Sequence, residues 1–506
     1  MSTPSVPLVG TLAAEVARNR LGVPGVVGNQ LSQIAPGTVI YGVVPAVIAA
    51  TGLIGVPIAM VIVAAALYLF LVGWLAMGRY IPNPGAFYAY IALGLWKPLG
   101  VAAAWLALAA YVSFAIGSYI GFGFTLSAVL DAVAGFSVPW WACSLTIVVI
   151  IGALAIRSLK GAAVFIIGLV VFETLGVIIT TVGAAAAPGF RLSLAAMDPT
   201  LLTAATAGSL AVTAIMSYVG YEAAATYLRD SRDPERTVPL ASKITLITTA
   251  LLYWIASWVQ VSAAGPKILD RAKNEGVDMF SNSAAVTLGS WVVVMNAILF
   301  STSLFAASFA FQLVGPRYLS VLGQERVLPA FFGKTINEAP RNASLTVSAV
   351  AAVVITGYAL GGLDPLTQGF LWLGTTGAIG IMLLSATASV AVVAFFARDR
   401  RGETLWHRVI APAAAAVALG MAGYFALTNL GTLYGPGSET IAAAVPWVLL
   451  ALLVLGVLWG LRLQVQQPAV YANIGLGIEA KNSAFDELFA PGVTTAAATA
   501  GPAAHR

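Results

Sequence analysis

The sequence predicts an all-α integral membrane protein with twelve transmembrane helices, of which the first and sixth are broken. Three observations predict it. Of the 506 residues, 59% are hydrophobic and 9% charged, with a mean hydropathy of +0.92, whereas soluble chains carry about 25% charged residues. Apolar stretches recur along the chain, each close to the length of about 20 residues that a helix needs to cross the hydrocarbon core. The basic residues between these stretches fall almost entirely on one side.

The twelve stretches run over approximately 29–50, 56–77, 98–130, 138–156, 161–187, 200–228, 239–264, 285–322, 342–361, 365–396, 406–428 and 440–462. The third, eighth and tenth are longer than a crossing requires, which implies tilt or extension beyond the bilayer. With both termini in the cytoplasm, the internal segments carry Arg18, Arg20, Arg79, Lys97, Arg157, Lys160 and the cluster from Arg229 to Lys243. They also carry Arg317, Arg326, Lys334, Arg341, Arg398, Arg400, Arg401 and Arg408. The external segments hold only Arg191, Lys267, Arg271 and Lys273. This asymmetry predicts a multi-pass protein of the plasma (inner) membrane with cytoplasmic termini. It also accounts for the net charge of +5 without nucleic acid as a partner.

The expected organisation follows. Residues 1–28 form a cytoplasmic segment without a signal-peptide pattern. Residues 29–396 form the core, 397–462 two additional helices, and 463–506 a disordered cytoplasmic tail with a short helix near Phe485–Phe489. Residues 82–95, PNPGAFYAYIALGL, are too short and aromatic to cross and read as an interfacial segment. Residues 323–341 form a further cytoplasmic loop, and the charged loop 229–236 reads as a solvated ion-pair network that also suits a gate latch.

Several function classes are excluded by composition. The single cysteine, Cys143, lies in an apolar run and reads as a small core residue. His407 and His505 lie in a loop and the tail, so no metal site and no cofactor are expected. No nucleotide-binding loop and no catalytic constellation is present, which argues against ATP-driven transport and against a membrane enzyme. About ten residues join the sixth and seventh stretches, too few for the long central loop of a major-facilitator transporter.

Two stretches are interrupted at their centres. The first contains Ala35-Pro36-Gly37-Thr38. Proline removes a backbone donor and clashes with the preceding turn, and glycine weakens the helix further. The sixth contains Ser217-Tyr218-Val219-Gly220-Tyr221, followed by Glu222. Interruptions at the first and sixth spans are in register with a five-plus-five repeat. A broken helix in lipid leaves N–H and C=O groups that are tolerated only where they line a cavity or bind something. Free N–H groups suit a carboxylate, and free carbonyls suit an ammonium or a cation. Ordinary proline and glycine kinks are the alternative, and a channel fits paired breaks poorly.

At these residues the chain resembles the amino acid–polyamine–organocation permease superfamily, and within it an actinobacterial-type amino acid permease. GTVIYGVVP at 37–45 is similar to that family's first-span motif, and SYVGYEAAATYLRDSRDPERTVPLA at 217–241 to its sixth span and following loop. RYIPNPGAFYAY at 79–90 and SLFAASFAFQLVGPRYLSVLGQERVLP at 303–329 also match. The resemblance covers roughly 25–430. It implies the five-plus-five inverted-repeat fold named for bacterial leucine transporters, and alternating access. It also implies an amino acid or related amine as substrate; import coupled to protons rather than sodium is the expectation drawn from the buried acid Glu173. An exchanger, or a polyamine or cation permease, is the alternative. Many members have glycine where this chain has Val39, which puts carboxylate recognition in doubt.

The candidate site residues divide by role. Ala35, Pro36, Gly37, Thr38, Ser217, Tyr218, Gly220 and Tyr221 line the two breaks, and Tyr111 joins them from the third span. Ser113 and Gly117 share its face, and Gly117 and Gly121 have the spacing of close helix packing. Glu173, in FIIGLVVFETLGVII, is the acidic residue deepest in an uninterrupted apolar span. A charge at mid-membrane costs about 2.5–3.5 kcal/mol on insertion scales. Glu173 is therefore a proton carrier, a protonated acid bonded to a neighbouring helix, or a contact for a cation. Related permeases carry a lysine in this region, so that mechanism does not transfer. Glu222 follows the second break and reads as a cap for free N–H groups or as a gating contact. Ser301, Thr302 and Ser303 supply hydroxyls where related transporters place a sodium pair, although helix hydroxyls usually bond their own carbonyls.

Overall fold

The computed structural model describes residues 21–477 apart from 82, 84, 157–161, 224–230, 232, 336–338 and 436. Among the described residues there is no strand, only an isolated bridge between Leu21 and Ser231. The helices are α1 Val23–Ile34, α2 Val44–Thr51, α3 Val56–Gly78, α4 Phe87–Gly94, α5 Lys97–Ala134 and α6 Trp140–Ala155. Next come α7 Ala162–Ala185, α8 Ala207–Tyr218, α9 Pro234–Ala264, α10 Ile268–Glu275, α11 Met279–Leu288 and α12 Trp291–Gln324. The last are α13 Arg341–Leu360, α14 Trp372–Arg398, α15 Ala411–Thr428, α16 Leu430–Tyr434, α17 Glu439–Gln466 and α18 Pro468–Ala472. Wide, π-type turns lead into α2, α14 and α15.

Ten helical stretches among the described residues are long and apolar enough to cross a membrane, and α6 and α8 are shorter apolar helices. The long α5 is the hub, packed against α4, α6, α12, α14 and α17. Where α17 crosses α5, Gly456 and Gly460 lie directly on Ala102 and Pro98, so the backbones meet without side chains between them. The far side of α17 turns Trp447, Val448, Val454 and Leu458 outward. Such a face is stable in lipid and costly in water. On α7 the same division is sharper. Val171, Phe172, Leu175, Ile178 and Val182 point outward, while Glu173, Gly176 and Thr180, at helical spacing, face inward.

Three expectations are refined by the structure. The segment forming α4 does not lie on the outside of the bundle: it is buried between α5 and α14, with Phe87, Tyr88, Tyr90 and Ile91 fully enclosed. Aromatic residues of a helix too short to cross gain more from this core than from a headgroup layer. The sixth stretch breaks where its sequence is interrupted, but its helix begins at Ala207 rather than near 200. Helix α8 ends at Tyr218, and short turns at Leu194–Met197 and Pro199–Leu201 precede it. The chain after 462 is not disordered throughout. Helix α17 continues to Gln466, α18 follows, and the N–H groups of Gly475 and Gly477 bond the buried Glu325 carboxylate at 3.0 and 3.1 Å. Asn83 and Tyr88 donate to the same carboxylate, tying α4, the end of α12 and the segment after α18 together. Residues 1–20, Arg157, Lys160, Arg229, Asp230, Arg232 and Phe485–Phe489 lie outside the described residues.

Candidate functional site

Helix α1 stops because Ala35 takes a left-handed conformation, φ 50° and ψ 72°, with its N–H on the Leu31 carbonyl. That conformation costs a non-glycine residue roughly 1–2 kcal/mol. Pro36 follows, where its missing donor and fixed φ suit the start of a new helical turn. The remaining amides at this break have specific partners. Gly37 donates to Glu173 Oε1 at 2.8 Å, and Thr38 donates to Ser303 Oγ at 2.8 Å. The Thr38 and Ser303 hydroxyls are also 2.7 Å apart, and Val39 N–H returns to the Ala35 carbonyl at 3.3 Å. The carbonyls are met from α9. Tyr253 Oη donates to Ile34 at 3.3 Å, and Gln260 Nε2 donates to Ile40 at 3.4 Å.

The second break is built differently. Helix α8 ends as Val219 turns extended, ψ 131°, and Gly220 adopts φ +112°. Only glycine enters that region without strain. Gly220 N–H donates to Glu222 Oε2 at 3.0 Å, and Tyr111 Oη donates to Glu222 Oε1 at 2.6 Å. Trp74 Nε1 donates to the Glu222 carbonyl at 3.2 Å, and Gln30 Nε2 to the Tyr221 carbonyl at 3.4 Å. Buried backbone carbonyls are thus satisfied from α1 and α3, and the Glu222 carboxylate from α5, as burial demands.

The two breaks touch. A Cβ added to Gly220 would lie 2.7 Å from Gln33 Cβ and 3.3 Å from Ile34 N. The last turn of α1 and the turn after α8 therefore approach backbone to backbone at the centre of the fold. Ala35, Pro36, Gly37, Thr38, Ser217, Tyr218, Gly220, Tyr221, Tyr111, Glu173 and Glu222 are all buried. Tyr218 bonds the Met60 carbonyl and packs on Tyr253, while Tyr221 Oη lies 2.6 Å from Ser385 Oγ and packs edge-on against Phe70. Ser217 bonds the Thr213 carbonyl of its own helix. Gly117 and Gly121 pack against Phe370 at the approach to α14, and Ser113 is half-buried.

Of the three hydroxyls on α12, only Ser303 reaches the break. Ser301 and Thr302 bond the carbonyls of Ala297 and Leu299. Sequence reasoning missed Gln30, Tyr253, Gln260 and a polar chain leading outward from the site. In that chain Tyr41 Oη lies 3.3 Å from Thr180 Oγ1, Thr180 donates to Asn296 Oδ1 at 3.0 Å, and Asn296 donates to Ser281 Oγ at 3.0 Å. The chain borders a cavity of about 250 Å³ lined by Tyr41, Thr125, Asp278, Ser281, Asn296 and Phe300. The spacing of Glu173, Gly176 and Thr180 along one helical face was the available signal.

Comparison with known proteins completes the picture. The family described as Amino acid permease matches residues 23–465. The chain belongs to the amino acid permease family. This permease is 25% identical over 303 residues to the uncharacterized amino acid permease YecA of Bacillus subtilis (strain 168), covering 59% of this chain and 68% of that one. It is 27% identical over 141 residues to the chloroplastic cationic amino acid transporter 7 of Arabidopsis thaliana, covering 28% of this chain and 24% of that one. Against the mitochondrial cationic amino acid transporter 3 of Arabidopsis thaliana it is 23% identical over 144 residues, 28% of this chain and 23% of that one. The permease thus spans about a quarter of each plant relative. Family and helices together make it a multi-pass membrane protein of a transporter family.

Proposed function

We propose that the permease moves an amino acid or related amine across the plasma membrane by proton-coupled alternating access, with both termini cytoplasmic. The observation that carries this reading is the meeting of two interrupted helices, Gly220 against Gln33 and Ile34, in the middle of an apolar bundle. Interrupted backbone at membrane depth is retained where it serves a ligand. Ten long apolar stretches, with α6 and α8 beside them, accommodate twelve crossings and a five-plus-five arrangement with breaks in α1–α2 and after α8. Glu173 is the proton carrier in this reading. It sits on α7 but holds an amide of the first break, so its protonation state and the position of that break are linked.

The test is uptake by purified full-length protein in proteoliposomes with an acidic exterior. Amino acids and amines are offered singly, and the gradient is then collapsed with a protonophore. Accumulation that disappears with the gradient is expected. A substrate that only exchanges against an internal pool, with no response to the gradient, assigns antiport and removes the coupling role of Glu173. Failure of every amino acid and amine to enter or bind contradicts the transport reading itself.

A further inference from the structure

One face of the hub helix α5 is only partly covered. Trp105, Leu108, Ala109 and Val112 recur along it at helical spacing and are half-buried, while Leu106, Ala107, Ala110 and Tyr111 between them are enclosed. The four form the floor of a groove of about 400 Å³, whose lining also includes Val350 of α13 and Leu452 of α17. Val350 is 43% exposed, so the groove opens on the outside of the bundle. It extends to Leu328 and Phe332 in the loop between α12 and α13, and to Thr346 near the start of α13. Three cations stand at that end. Arg326 is two residues before Leu328, and Lys334 two after Phe332. Arg341 is five residues before Thr346, about 7.5 Å along the α13 axis. Asn342 Nδ2 donates to the Phe331 carbonyl at 2.9 Å, which holds the start of α13 against the same loop.

Arg326, Lys334 and Arg341 are exposed, and none of their side chains has an ion-pair or hydrogen-bond partner among the described residues. Other cations of the side read as cytoplasmic are engaged by the protein. Arg79 holds the Glu403 carboxylate, and Lys97 and Arg398 donate to the carbonyls of Ala472 and Leu93. An apolar groove at bilayer depth with free cations at one end has the charge and shape of one class of ligand. We propose that it binds an anionic phospholipid, with an acyl chain along the α5 floor and the phosphate among Arg326, Lys334 and Arg341. In the orientation proposed above, that lipid belongs to the inner leaflet. The groove alone does not select a lipid, because any acyl chain is as apolar as its lining. Selection comes from the headgroup, since each basic side chain near the membrane surface attracts a net negative lipid, and phosphate oxygens accept charge-assisted bonds from arginine and lysine. The site is separate from the two breaks and does not depend on which substrate or ion the permease carries.

The experiment uses Trp105 as the probe, because bromine on an acyl chain quenches an indole that it touches. Purified full-length permease is placed in phosphatidylcholine vesicles containing rising mole fractions of phosphatidylglycerol brominated on its acyl chains. A second series uses brominated phosphatidylcholine. The Trp105 signal is the difference between the unmodified permease and Trp105→Phe. Quenching of that signal is expected to half-saturate at a mole fraction of phosphatidylglycerol about fivefold or more below that of phosphatidylcholine. Replacing Arg326, Lys334 and Arg341 together by glutamine, with folding checked by melting temperature, is expected to bring the two lipids within about twofold of each other. Ala109→Phe fills the floor and leaves the cations in place, and is expected to weaken quenching of Trp105 by both lipids. Glycerol phosphate in solution, a headgroup without a chain, is expected to leave the preference unchanged. Equal quenching by the two lipids in the unmodified permease overturns the proposal. So does a preference that survives removal of the three cations, quenching untouched by Ala109→Phe, or displacement of the lipid by glycerol phosphate, which assigns the cations to a free phosphate.

Discussion

The two breaks solve one problem in opposite ways. At the second, the carboxylate that meets Gly220 N–H comes from Glu222, two residues along the same chain. At the first, Gly37 and Thr38 are met by Glu173 and Ser303, 136 and 265 residues away on α7 and α12. A local cap travels with its break and survives rearrangement of the helices. A remote cap exists only while three helices hold one arrangement, and it must open when they shift. The second break is therefore a fixed shape, and the first a contact that can report binding and protonation.

The largest expected effect separates the two glycines. Gly220→Ala meets Gln33 Cβ at 2.7 Å and must hold φ +112°, with the Ile34 backbone behind it. A loss of about 2–4 kcal/mol in stability is expected, seen as a collapse in folded yield or melting temperature. Gly37→Ala meets the Glu173 side chain first, at 2.9 Å, and that side chain can swing away. It is expected to cost about 1 kcal/mol or less in stability and to abolish uptake. Equal melting temperatures for the two variants would break the comparison.

Smaller effects sharpen it. Glu222→Ala leaves the Gly220 amide and the Tyr111 hydroxyl without their acceptor, and is expected to lower stability by about 2–3 kcal/mol. Uptake by the folded fraction is expected to keep its pH profile, because the local cap carries no proton in this account. A flattened profile would move coupling to Glu222. Tyr111→Phe removes one of that carboxylate's donors. A cost of about 1 kcal/mol by thermal melt is expected, with little change in substrate affinity.

Both breaks were legible because their residues are chemically out of place. Pro36, Gly37, Gly220, Glu173 and Glu222 interrupt apolar runs with a missing donor, a missing side chain or a carboxylate. Their partners were not legible for the opposite reason. Tyr253, Gln260 and Gln30 are ordinary residues on ordinary helices, and only tertiary packing turns them toward a free carbonyl. Choosing Ser303 over Ser301 and Thr302 requires the rotation of α12 about its axis, which three consecutive hydroxyls do not encode. The ordered segment after α17 escaped notice because its order comes from Glu325, 150 residues earlier than Gly475. An Ala- and Gly-rich composition carries no trace of such a contact.

The most direct test of the central claim, that the remote cap is where proton and substrate meet, is the pH dependence of uptake in Glu173→Gln. The amide oxygen of glutamine can accept from Gly37 N–H as the carboxylate does, but the amide cannot gain or lose a proton at physiological pH. In proteoliposomes with an acidic exterior, the unmodified permease is expected to accumulate its substrate above the external concentration. Glu173→Gln is expected to bring substrate only to equilibrium, at a rate independent of the gradient. Gradient-driven accumulation by folded Glu173→Gln at the unmodified level would contradict the account.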